Sequence, residues 1–241
     1  MGVIEVPTDK LLEHITIQIE RIKRTDTPLL IAVDGVDTSG KTTLSRSLAE
    51  YLNKRGHTTI QASIDGFHNT AEKRYALGSK SPEGYYRDSF DYDSLRSYLI
   101  EPLKNQLSMQ YRTAAYDFKT ESKVQQKPRK AAKESILIME GVFLLRPELL
   151  IYWDFSIFLH IDFEQVISRA KVRDQYLFGE EEEIENRYRN KYIPGQQMYL
   201  SESNPYRNAD IIVDNNDFNN PKIVSVENDI DELRRRALDF K

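Results

Sequence analysis

Residues 35–42 read Gly-Val-Asp-Thr-Ser-Gly-Lys-Thr and fit the phosphate-loop pattern G-x-x-x-x-G-K-[ST]. In this pattern, the glycines allow successive backbone N–H groups to curl around a polyphosphate at the start of a helix. Lys41 would neutralise the terminal phosphate, and the Thr42 hydroxyl would ligate Mg²⁺. The pattern therefore predicts a site for ATP or GTP with Mg²⁺, whose nucleotide-binding residues are Gly35, Val36, Asp37, Thr38, Ser39, Gly40, Lys41, Thr42 and Thr43.

The residues on both sides of the loop support this interpretation. Five apolar residues, 29–33, lead into Asp34, as a buried strand would. Behind the loop, apolar side chains recur at helical spacing at Leu44, Leu48, Tyr51 and Leu52. Strand, loop and helix thus occur in the order that a phosphate loop requires.

Composition limits the class of protein. The 241 residues contain no cysteine, which excludes a disulfide scaffold, a thiol nucleophile and cysteine-ligated zinc. The apolar runs are too short to span a bilayer, and no basic segment followed by an apolar one opens the chain. We therefore expect a soluble, cytoplasmic protein without a signal peptide or a membrane partner. Because no shift in composition divides the sequence, we treat residues 1–241 as one domain that contains the phosphate loop.

The charge distribution argues against nucleic acid as a partner. The formal net charge is -4, whereas a phosphate backbone demands clustered Lys and Arg. One basic stretch, residues 119–133, contains six Lys or Arg residues. It is either a solvated hairpin or loop, or a basic lip beside a phosphate site.

Strand-like and helix-like patterns alternate along the chain. An amphipathic helix is expected within residues 1–27, with Thr8 or Asp9 as its cap. Further strands are expected at 58–64, 135–139, 154–161 and 209–214, and helices at 163–176, 180–192 and 226–238. This order predicts an α/β, three-layer P-loop NTPase fold, in which a parallel sheet has helices on both faces and carries a small lid and substrate hairpin.

Two segments between these elements are expected to serve the substrate. Residues 65–130 form a substrate-side segment, of which 69–92 has no clear period and is interpreted as flexible. Asp93 would then cap a helix that carries Leu95, Leu99 and Leu103. Residues 169–200 form the lid region.

Carboxylates stand where two strands end, which is where ligands bind in parallel sheets. Asp65 follows the second strand and could accept a proton from an attacking hydroxyl, or could be an ordinary turn aspartate before Gly66. Glu140 ends the third strand, from which a carboxylate can hold Mg²⁺, although it could also be a solvated cap.

A linked series of motifs resembles the phosphoribulokinase and uridine kinase family, and most of all its bacterial uridine kinases. The likeness extends from about Pro28 to Asn216. Its motifs are Asp34-Gly35 with Ser39-Gly40-Lys41-Thr42-Thr43, Asp65-Gly66-Phe67-His68, Asp88-Ser89-Phe90-Asp91, Tyr116-Asp117-Phe118, Ile138-Met139-Glu140-Gly141 and Ala209-Asp210-Ile211-Ile212-Val213-Asp214.

The resemblance implies a role for each matching residue. Asp65 would activate a sugar 5′-hydroxyl, Lys41 and Arg173 would complete the catalytic set, and Thr42 and Glu140 would hold Mg²⁺. Asp88 would bind ribose hydroxyls, Tyr116 and Phe118 would line the base pocket, and Arg173 of the lid would contact phosphates and substrate.

The chain also departs from the family pattern. Glu121 stands where many uridine kinases have a histidine that reads the pyrimidine, and His68 replaces a common tyrosine. Ala170 occupies the position of one lid arginine of the family. Basic residues of the next helix, above all Arg187, are therefore expected to contact phosphate or substrate. We therefore add His68, Glu121 and Arg187 to the predicted substrate-binding residues.

These observations predict a kinase that transfers the ATP γ-phosphoryl group to the 5′-hydroxyl of uridine or cytidine. Pantothenate, a sugar or a different nucleoside is an alternative acceptor, because of Glu121 and the Asp-Gly-Phe-His motif. A nucleotide-dependent switch is a third reading, although a switch has no need of Asp65 and Asp88. The first and last helices could form contacts in a homo-oligomer or simply cover the sheet.

Overall fold

The fold is described from a computed structural model, which describes residues 4–5, 8–105 and 108–241. The remaining residues of the predicted 1–27 segment, 1–3 and 6–7, lie outside this description. The strands are β1 (Ile4–Glu5), β2 (Leu29–Gly35), β3 (Thr59–Ser63), β4 (Gln110–Tyr111), β5 (Tyr116–Asp117), β6 (Ser122–Lys123), β7 (Arg129–Lys130), β8 (Ile136–Gly141), β9 (Phe155–His160), β10 (Ile211–Asp214) and β11 (Lys222–Val224).

Helices connect and cover these strands. They are α1 (Thr8–Ile22), α2 (Lys41–Lys54), α3 (Ala71–Arg74), α4 (Pro82–Asp88), α5 (Tyr92–Leu95), α6 (Glu101–Lys104), α7 (Pro147–Leu150), α8 (Phe163–Arg173), α9 (Gln175–Phe178), α10 (Glu181–Arg187), α11 (Ile193–Ser203), α12 (Pro205–Asn208) and α13 (Glu227–Leu238). A 3₁₀ turn covers Ile64–Gly66, and π-helical turns cover Arg96–Ile100 and Tyr188–Tyr192. Within the described part of the chain, none of the helices has the length and apolar character that crossing a membrane requires.

The main sheet has the strand order β1-β11-β10-β9-β2-β8-β3. The five strands from β10 to β3 are parallel, while β11 is antiparallel to β10 and β1 is antiparallel to β11. The strand that carries the phosphate loop, β2, lies in the centre between β9 and β8. The carboxyl ends of β2, β8 and β3 are therefore adjacent at one edge of the sheet.

Alternating side chains of the parallel strands enter two cores. In β2, Leu29, Ile31 and Val33 pack with α1 and α2 on one face of the sheet. Leu30 and Ala32 pack on the other face against the substrate-side and lid helices. Because both faces are covered, these strands are continuous apolar runs, as parallel strands usually are. The predicted three-layer α/β fold is confirmed.

Two local predictions differ from the structure, and one is untested. α1 begins at Thr8 and contains Asp9, and the predicted cap of this helix stays a prediction. Asp91, not Asp93, caps α5, because the Asp91 carboxylate accepts hydrogen bonds from Ser94 N at 3.0 Å and Ser94 Oγ at 2.6 Å. The 69–92 segment contains the short helices α3 and α4, the second of which starts where Ser81 Oγ accepts from Gly84 N.

Helix ends also differ from the prediction near two prolines. The helix expected to end near Tyr192 continues through a π turn into α11. Pro194 follows this turn, just as Pro102 follows the other π turn. Proline has no N–H to donate and its ring crowds the preceding turn, and the wider π turn accommodates both effects without ending the helix.

Candidate active site

The phosphate loop joins β2 to α2 and is built around Gly40. This residue has φ +96°, and a Cβ there would lie 2.8 Å from Asn215 Nδ2. No side chain of the described residues caps α2, whose backbone hydrogen bonds begin with Leu44 N donating to Gly40 O at 2.9 Å. The first N–H groups of the helix therefore remain available for an anion. The buried Lys41 ammonium donates to Val36 O at 2.7 Å, which holds it across the loop.

A cavity of about 470 Å³ opens on the outer side of the loop. It is lined by Thr38, Gly40, Lys41, Thr42, Thr43, Ser168, Arg169, Val172, Arg173 and Phe218. The Arg169 guanidinium lies 3.5 Å from the centre of the Phe218 ring, and it donates to the carbonyls of Asn215 and Asn216. We call this space the donor cavity, because a phosphate loop next to stacked planar groups suits a nucleotide.

The sequence prediction missed Arg169 and Phe218. Arg169 is the first residue of the predicted lid region but has no motif of its own, and Phe218 follows the last predicted strand without any motif. Only the fold brings the end of α8 and the loop after β10 together over the phosphate loop.

A second cavity, of about 280 Å³, lies between the phosphate loop, the substrate-side segment and the lid. Its polar lining includes Asp37, Lys41, Thr42, Asp65, His68, Glu140, Arg173 and Asp174, and its aromatic lining includes Tyr85, Phe90, Phe118, Phe178, Tyr188 and Tyr192. We call it the acceptor cavity. Lys41, Thr42 and Arg173 line both cavities, so the two spaces meet at these three side chains.

Asp65 and Glu140 enter the acceptor cavity from neighbouring strand ends. Ser63 of β3 pairs with Glu140 of β8, and Asp65 lies in the 3₁₀ turn that follows β3. A Cβ on Gly141 would lie 2.4 Å from Ile64 Cγ2, so only glycine lets this turn pack against the end of β8. The local sequence thus fixes how close the two carboxylates stand.

The pKa of Asp65 lies below its ordinary value. The Asp65 side chain is 64% exposed, and its partial desolvation among the surrounding residues acts to raise this pKa, but the contact with His68 and the positive charges of Lys41 and Arg173 together outweigh it. Asp65 Oδ1 lies 3.5 Å from His68 Nε2. The Asp65 carboxylate is therefore ionised at neutral pH and able to accept a hydroxyl proton.

His68 is held between two aromatic rings. Its ring centre lies 4.6 Å from that of Phe90 and 4.4 Å from that of Phe118. His68 Nδ1 lies 3.0 Å from the Ser89 carbonyl oxygen and donates this hydrogen bond, while Nε2 faces Asp65, whose pKa the contact lowers when Nε2 also carries a proton. The structure places His68 and Phe118, both predicted to bind substrate, on one wall of the acceptor cavity.

Thr42 and Glu140 suit a magnesium ion. Both line the acceptor cavity and an adjoining space of about 200 Å³. Among the described residues, neither the Thr42 hydroxyl nor the Glu140 carboxylate has a side-chain or backbone partner, and no group of three His, Cys, Asp or Glu residues is placed to hold a metal. Mg²⁺ is usually bound by one or two protein oxygens, and water and phosphate oxygens complete its coordination shell. One carboxylate and one hydroxyl fit this pattern.

Arg173 projects from the end of α8 toward both cavities. Its guanidinium donates to Asp174 Oδ1 at 2.6 Å and to Tyr188 Oη at 2.8 Å. Tyr188 in turn donates to Asp174 Oδ2 at 2.8 Å. Burial alone would lower the pKa of Arg173, but its contacts with Asp174 and Tyr188 and the nearby negative charge of Asp37 raise it, so Arg173 stays positively charged where the cavities meet.

Four of the predicted substrate-binding residues do not line the acceptor cavity. The Glu121 carboxylate accepts from Arg74 Nη2, Tyr116 Oη and Ala71 N, so it ties the β5–β6 hairpin to α3. The Tyr116 hydroxyl is engaged in this hydrogen bond to Glu121. Arg187 pairs with Glu183 at 2.7 Å and lies over the Phe178 ring. Asp88 lies half-buried at the end of α4, outside the cavity lining.

Asp34 is a further carboxylate that the sequence prediction left without a role. It is fully buried at the end of β2, where it accepts from Tyr199 Oη and, at 3.4 Å, from Leu144 N. Burial raises its pKa to about 6, although its hydrogen bonds and Lys41 act to lower it. Asp34 therefore ties the end of β2, at the start of the loop, to the segment after β8 and to α11.

Comparisons with known proteins agree with this geometry. Residues 30–218 match the sequence model of the phosphoribulokinase / uridine kinase family. The chain is 28% identical to the uridine kinase of Ligilactobacillus salivarius over 198 residues, which cover 79% of this chain and 86% of that protein.

Solved structures share the fold. One from Bacillus stearothermophilus, described as a possible uridine kinase, is 25% identical with a TM-score of 0.65, and the match covers 85% of this chain and 96% of that one. The D-glycerate 3-kinase of Cryptococcus neoformans is 17% identical with a TM-score of 0.54, covering 78% of this chain and 87% of that one, and this likeness concerns the fold alone. The chain belongs to the phosphoribulokinase / uridine kinase family and is a phosphotransferase that acts on a hydroxyl group.

Proposed function

We propose that this enzyme transfers the γ-phosphoryl group of ATP to the 5′-hydroxyl of a pyrimidine nucleoside, uridine or cytidine, with Mg²⁺ as cofactor. The observation that carries the proposal is the meeting of the donor and acceptor cavities at Lys41, Thr42 and Arg173. A phosphate loop alone serves many activities, but a second cavity that contains an ionised Asp65 suits an alcohol substrate. The likeness to uridine kinases supports a nucleoside as that alcohol.

In the proposed reaction, the acceptor hydroxyl oxygen attacks the γ-phosphorus. The new O–P bond forms as the bond from the γ-phosphorus to the β–γ bridging oxygen breaks, and ADP leaves. Asp65 accepts the hydroxyl proton. Lys41 and Arg173 stabilise the negative charge on the migrating group, because fixed positive charges in a closed site stabilise such charge strongly. Mg²⁺, held by Thr42 and Glu140, would supply further neutralisation of the phosphates.

A second candidate is a kinase of the same chemistry with another acceptor, such as pantothenate or a sugar. The state of Glu121 favours this alternative, since its carboxylate is engaged by Arg74 and Tyr116 rather than turned to the cavity. The side chain expected to face the base is therefore occupied elsewhere. The aromatic side chains Phe90 and Phe118 supply a surface for a base, but not hydrogen bonds that distinguish one base from another.

An acceptor panel distinguishes the candidates. The purified protein is incubated with ATP, Mg²⁺ and one acceptor at a time, and ADP release and product mass are measured for uridine, cytidine, adenosine, ribose, glycerate and pantothenate. We expect kcat/KM to be highest for uridine or cytidine. Higher kcat/KM for pantothenate or a sugar would replace the nucleoside with that acceptor, and ATP hydrolysis without any phosphorylated acceptor would favour a nucleotide-dependent switch.

Two properties accompany the proposal. A consumer of ATP that contains no cysteine fits the cytoplasm, where we place the reaction. The first helix covers the sheet of its own chain, because α1 buries Leu11, Leu12, Ile15 and Ile19 against it.

A further inference from the structure

The phosphate loop contains an acidic residue, Asp37, in a place where a negative charge would oppose a bound triphosphate. Asp37 and its neighbour Thr38 nevertheless face different spaces. Thr38 lines the donor cavity and Asp37 does not, whereas Asp37 lines the acceptor cavity and Thr38 does not. The backbone turns between them, since Thr38 has φ +56°. The Asp37 carboxylate is thereby directed away from the side where nucleotide would bind.

Two side chains of the acceptor side hold this carboxylate. Tyr85 Oη of α4 donates to Asp37 Oδ2 at 3.1 Å, and Gln196 Nε2 of α11 donates to the same oxygen at 2.7 Å. Gln196 is fully buried, and its Oε1 has no hydrogen-bond partner among the described residues. Such a side chain has little freedom to move, so it fixes the orientation of the carboxylate.

The second carboxylate oxygen of Asp37 is unused. Among the described residues, no donor reaches Asp37 Oδ1, and Lys41 is directed to Val36 O instead. An ionised carboxylate accepts about four hydrogen bonds, so Asp37 retains capacity on the side of the cavity. Tyr188 and Tyr192 line the same cavity, and burial together with the negative charge of Asp37 raises the pKa of both hydroxyls, so both stay protonated beside this carboxylate.

We propose that Asp37 is a specificity-determining residue of the acceptor site, where it binds a second hydroxyl of the acceptor while Asp65 receives the proton of the first. The acceptor class is therefore a polyol, an alcohol with at least one further hydroxyl within reach of Asp37. For a nucleoside, that hydroxyl is one of the two secondary hydroxyls of the ribose. This inference rests on the proposed function for the position of the reacting hydroxyl.

The test combines a protein change with a substrate change. Asp37→Asn keeps the size of the side chain and removes its charge, and uridine is compared with 2′-deoxyuridine and 3′-deoxyuridine. In the natural enzyme, loss of the hydroxyl that Asp37 binds should raise the acceptor KM about 10- to 100-fold, the range for a hydrogen bond to a charged group. In Asp37→Asn, the KM for uridine should rise by a similar factor. Replacing uridine with the analogue that lacks this hydroxyl should then raise the KM of the variant by less than about 3-fold more, because two changes that break the same interaction are not additive.

Thr38→Val is the matched control, since it changes the adjacent residue on the donor side. It should alter the KM for ATP and leave the discrimination between uridine and its deoxy analogues as it is. For Asp37→Asn, binding of ATP measured by calorimetry should stay within about 3-fold or become tighter, because a negative charge near the phosphates is removed. This titration also shows that the variant is folded.

Three results would contradict parts of this proposal. Weaker ATP binding in Asp37→Asn would overturn the role of Asp37. The same conclusion would follow if the change from uridine to a deoxy analogue raised KM equally in the natural enzyme and in Asp37→Asn. If uridine is not a substrate, the proposed function fails separately, and the same comparison is made with the best acceptor of the panel and its deoxy analogue. An acceptor with a single hydroxyl and full activity would overturn the polyol inference.

Discussion

At the scale of single residues, Asp65 is the group on which the proposed chemistry depends. It is ionised, it faces the point where the two cavities meet, and its neighbours Lys41 and Arg173 are positively charged. Asp65→Asn retains the shape and the acceptor oxygen but cannot take up a proton at neutral pH. We expect kcat to fall about 100- to 10,000-fold, as for other general bases, while the Kd for ATP stays nearly unchanged. Steady-state kinetics with an ATP titration would measure both, and turnover close to that of the natural enzyme would remove Asp65 from the mechanism.

His68 tunes this base through its contact with Asp65. His68→Phe would keep a ring between Phe90 and Phe118 but remove the polar contact that lowers the pKa of Asp65. The partial desolvation of Asp65 then acts with less opposition, so the pKa rises and the carboxylate is protonated over a wider acid range.

The acid limb of the profile of kcat/KM against pH should therefore move to higher pH in His68→Phe. Phe118→Leu serves as the control, because it changes the packing of His68 without removing a polar group. An acid limb at the same pH in His68→Phe and in the natural enzyme would contradict the account of His68.

Asp34 makes the stability of the fold depend on pH. Burial raises its pKa from 3.8 to about 6, so the folded state holds the proton more tightly than the unfolded state does. Its contribution to the free energy of unfolding is therefore largest below about pH 4 and falls as the pH rises to about 6, by on the order of 3 kcal/mol.

Asp34→Asn should remove this fall in the free energy of unfolding between about pH 4 and pH 6, and urea unfolding at several pH values would measure it. Tyr199→Phe should extend the fall to higher pH, because the Tyr199 hydroxyl acts to lower the pKa of Asp34. Parallel stability curves for the natural protein and Asp34→Asn would show that Asp34 titrates normally.

The sequence was informative about residues in local motifs. Asp65, Glu140 and the phosphate loop could be placed because each directly follows a recognisable strand. The contact of Glu121 could not, since it is engaged by Arg74, which lies 47 residues earlier in the chain. Arg187 pairs with Glu183 one turn earlier on α10, which is a local signal that the sequence prediction did not use, and it lies over Phe178 of the preceding helix. The roles predicted for Asp88 and Tyr116 remain predictions.

At the scale of elements, the start of α2 is the most constrained feature. Gly40 combines a positive φ with the close approach of Asn215 and Phe218. Gly78 offers a matched control, because its φ of +95° is nearly the same as that of Gly40 but no atom lies within 4 Å of a Cβ built there. Alanine at either position should cost about 1–3 kcal/mol of stability from backbone strain.

Only Gly40→Ala should also weaken ATP binding, because relief of its contacts requires the loop to shift. Thermal unfolding and an ATP titration of both variants would separate the two effects. Equal ATP affinity in Gly40→Ala and Gly78→Ala would mean that nucleotide binding does not depend on the close packing around the loop.

Elements with long apolar runs were predicted well, and short or interrupted ones were not. The strand β11 has three residues and lies one strand in from the sheet edge, antiparallel to both β1 and β10, and it is too short for a periodic pattern to mark it. The helical region that includes α10 and α11 passes Pro194 through a π turn, whereas proline ordinarily predicts an end.

At the scale of the whole molecule, the sheet order places three functional strand ends side by side. The loop after β2 supplies the donor side, and the ends of β8 and β3 supply Glu140 and Asp65. The alternation of strands and helices predicted this fold class. The acceptor cavity depended on how α4, α9 and the π turn at Tyr188–Tyr192 fold over the sheet, which the sequence pattern did not contain.

The central claim is that the two cavities form one site for direct transfer from nucleotide to alcohol. Its most direct test is the ratio of ADP to phosphorylated product, measured by mass spectrometry with uridine present and absent. We predict equal amounts of ADP and uridine 5′-monophosphate with uridine, and little ADP without it. ADP that forms at the same rate without uridine, accompanied by inorganic phosphate, would contradict the claim.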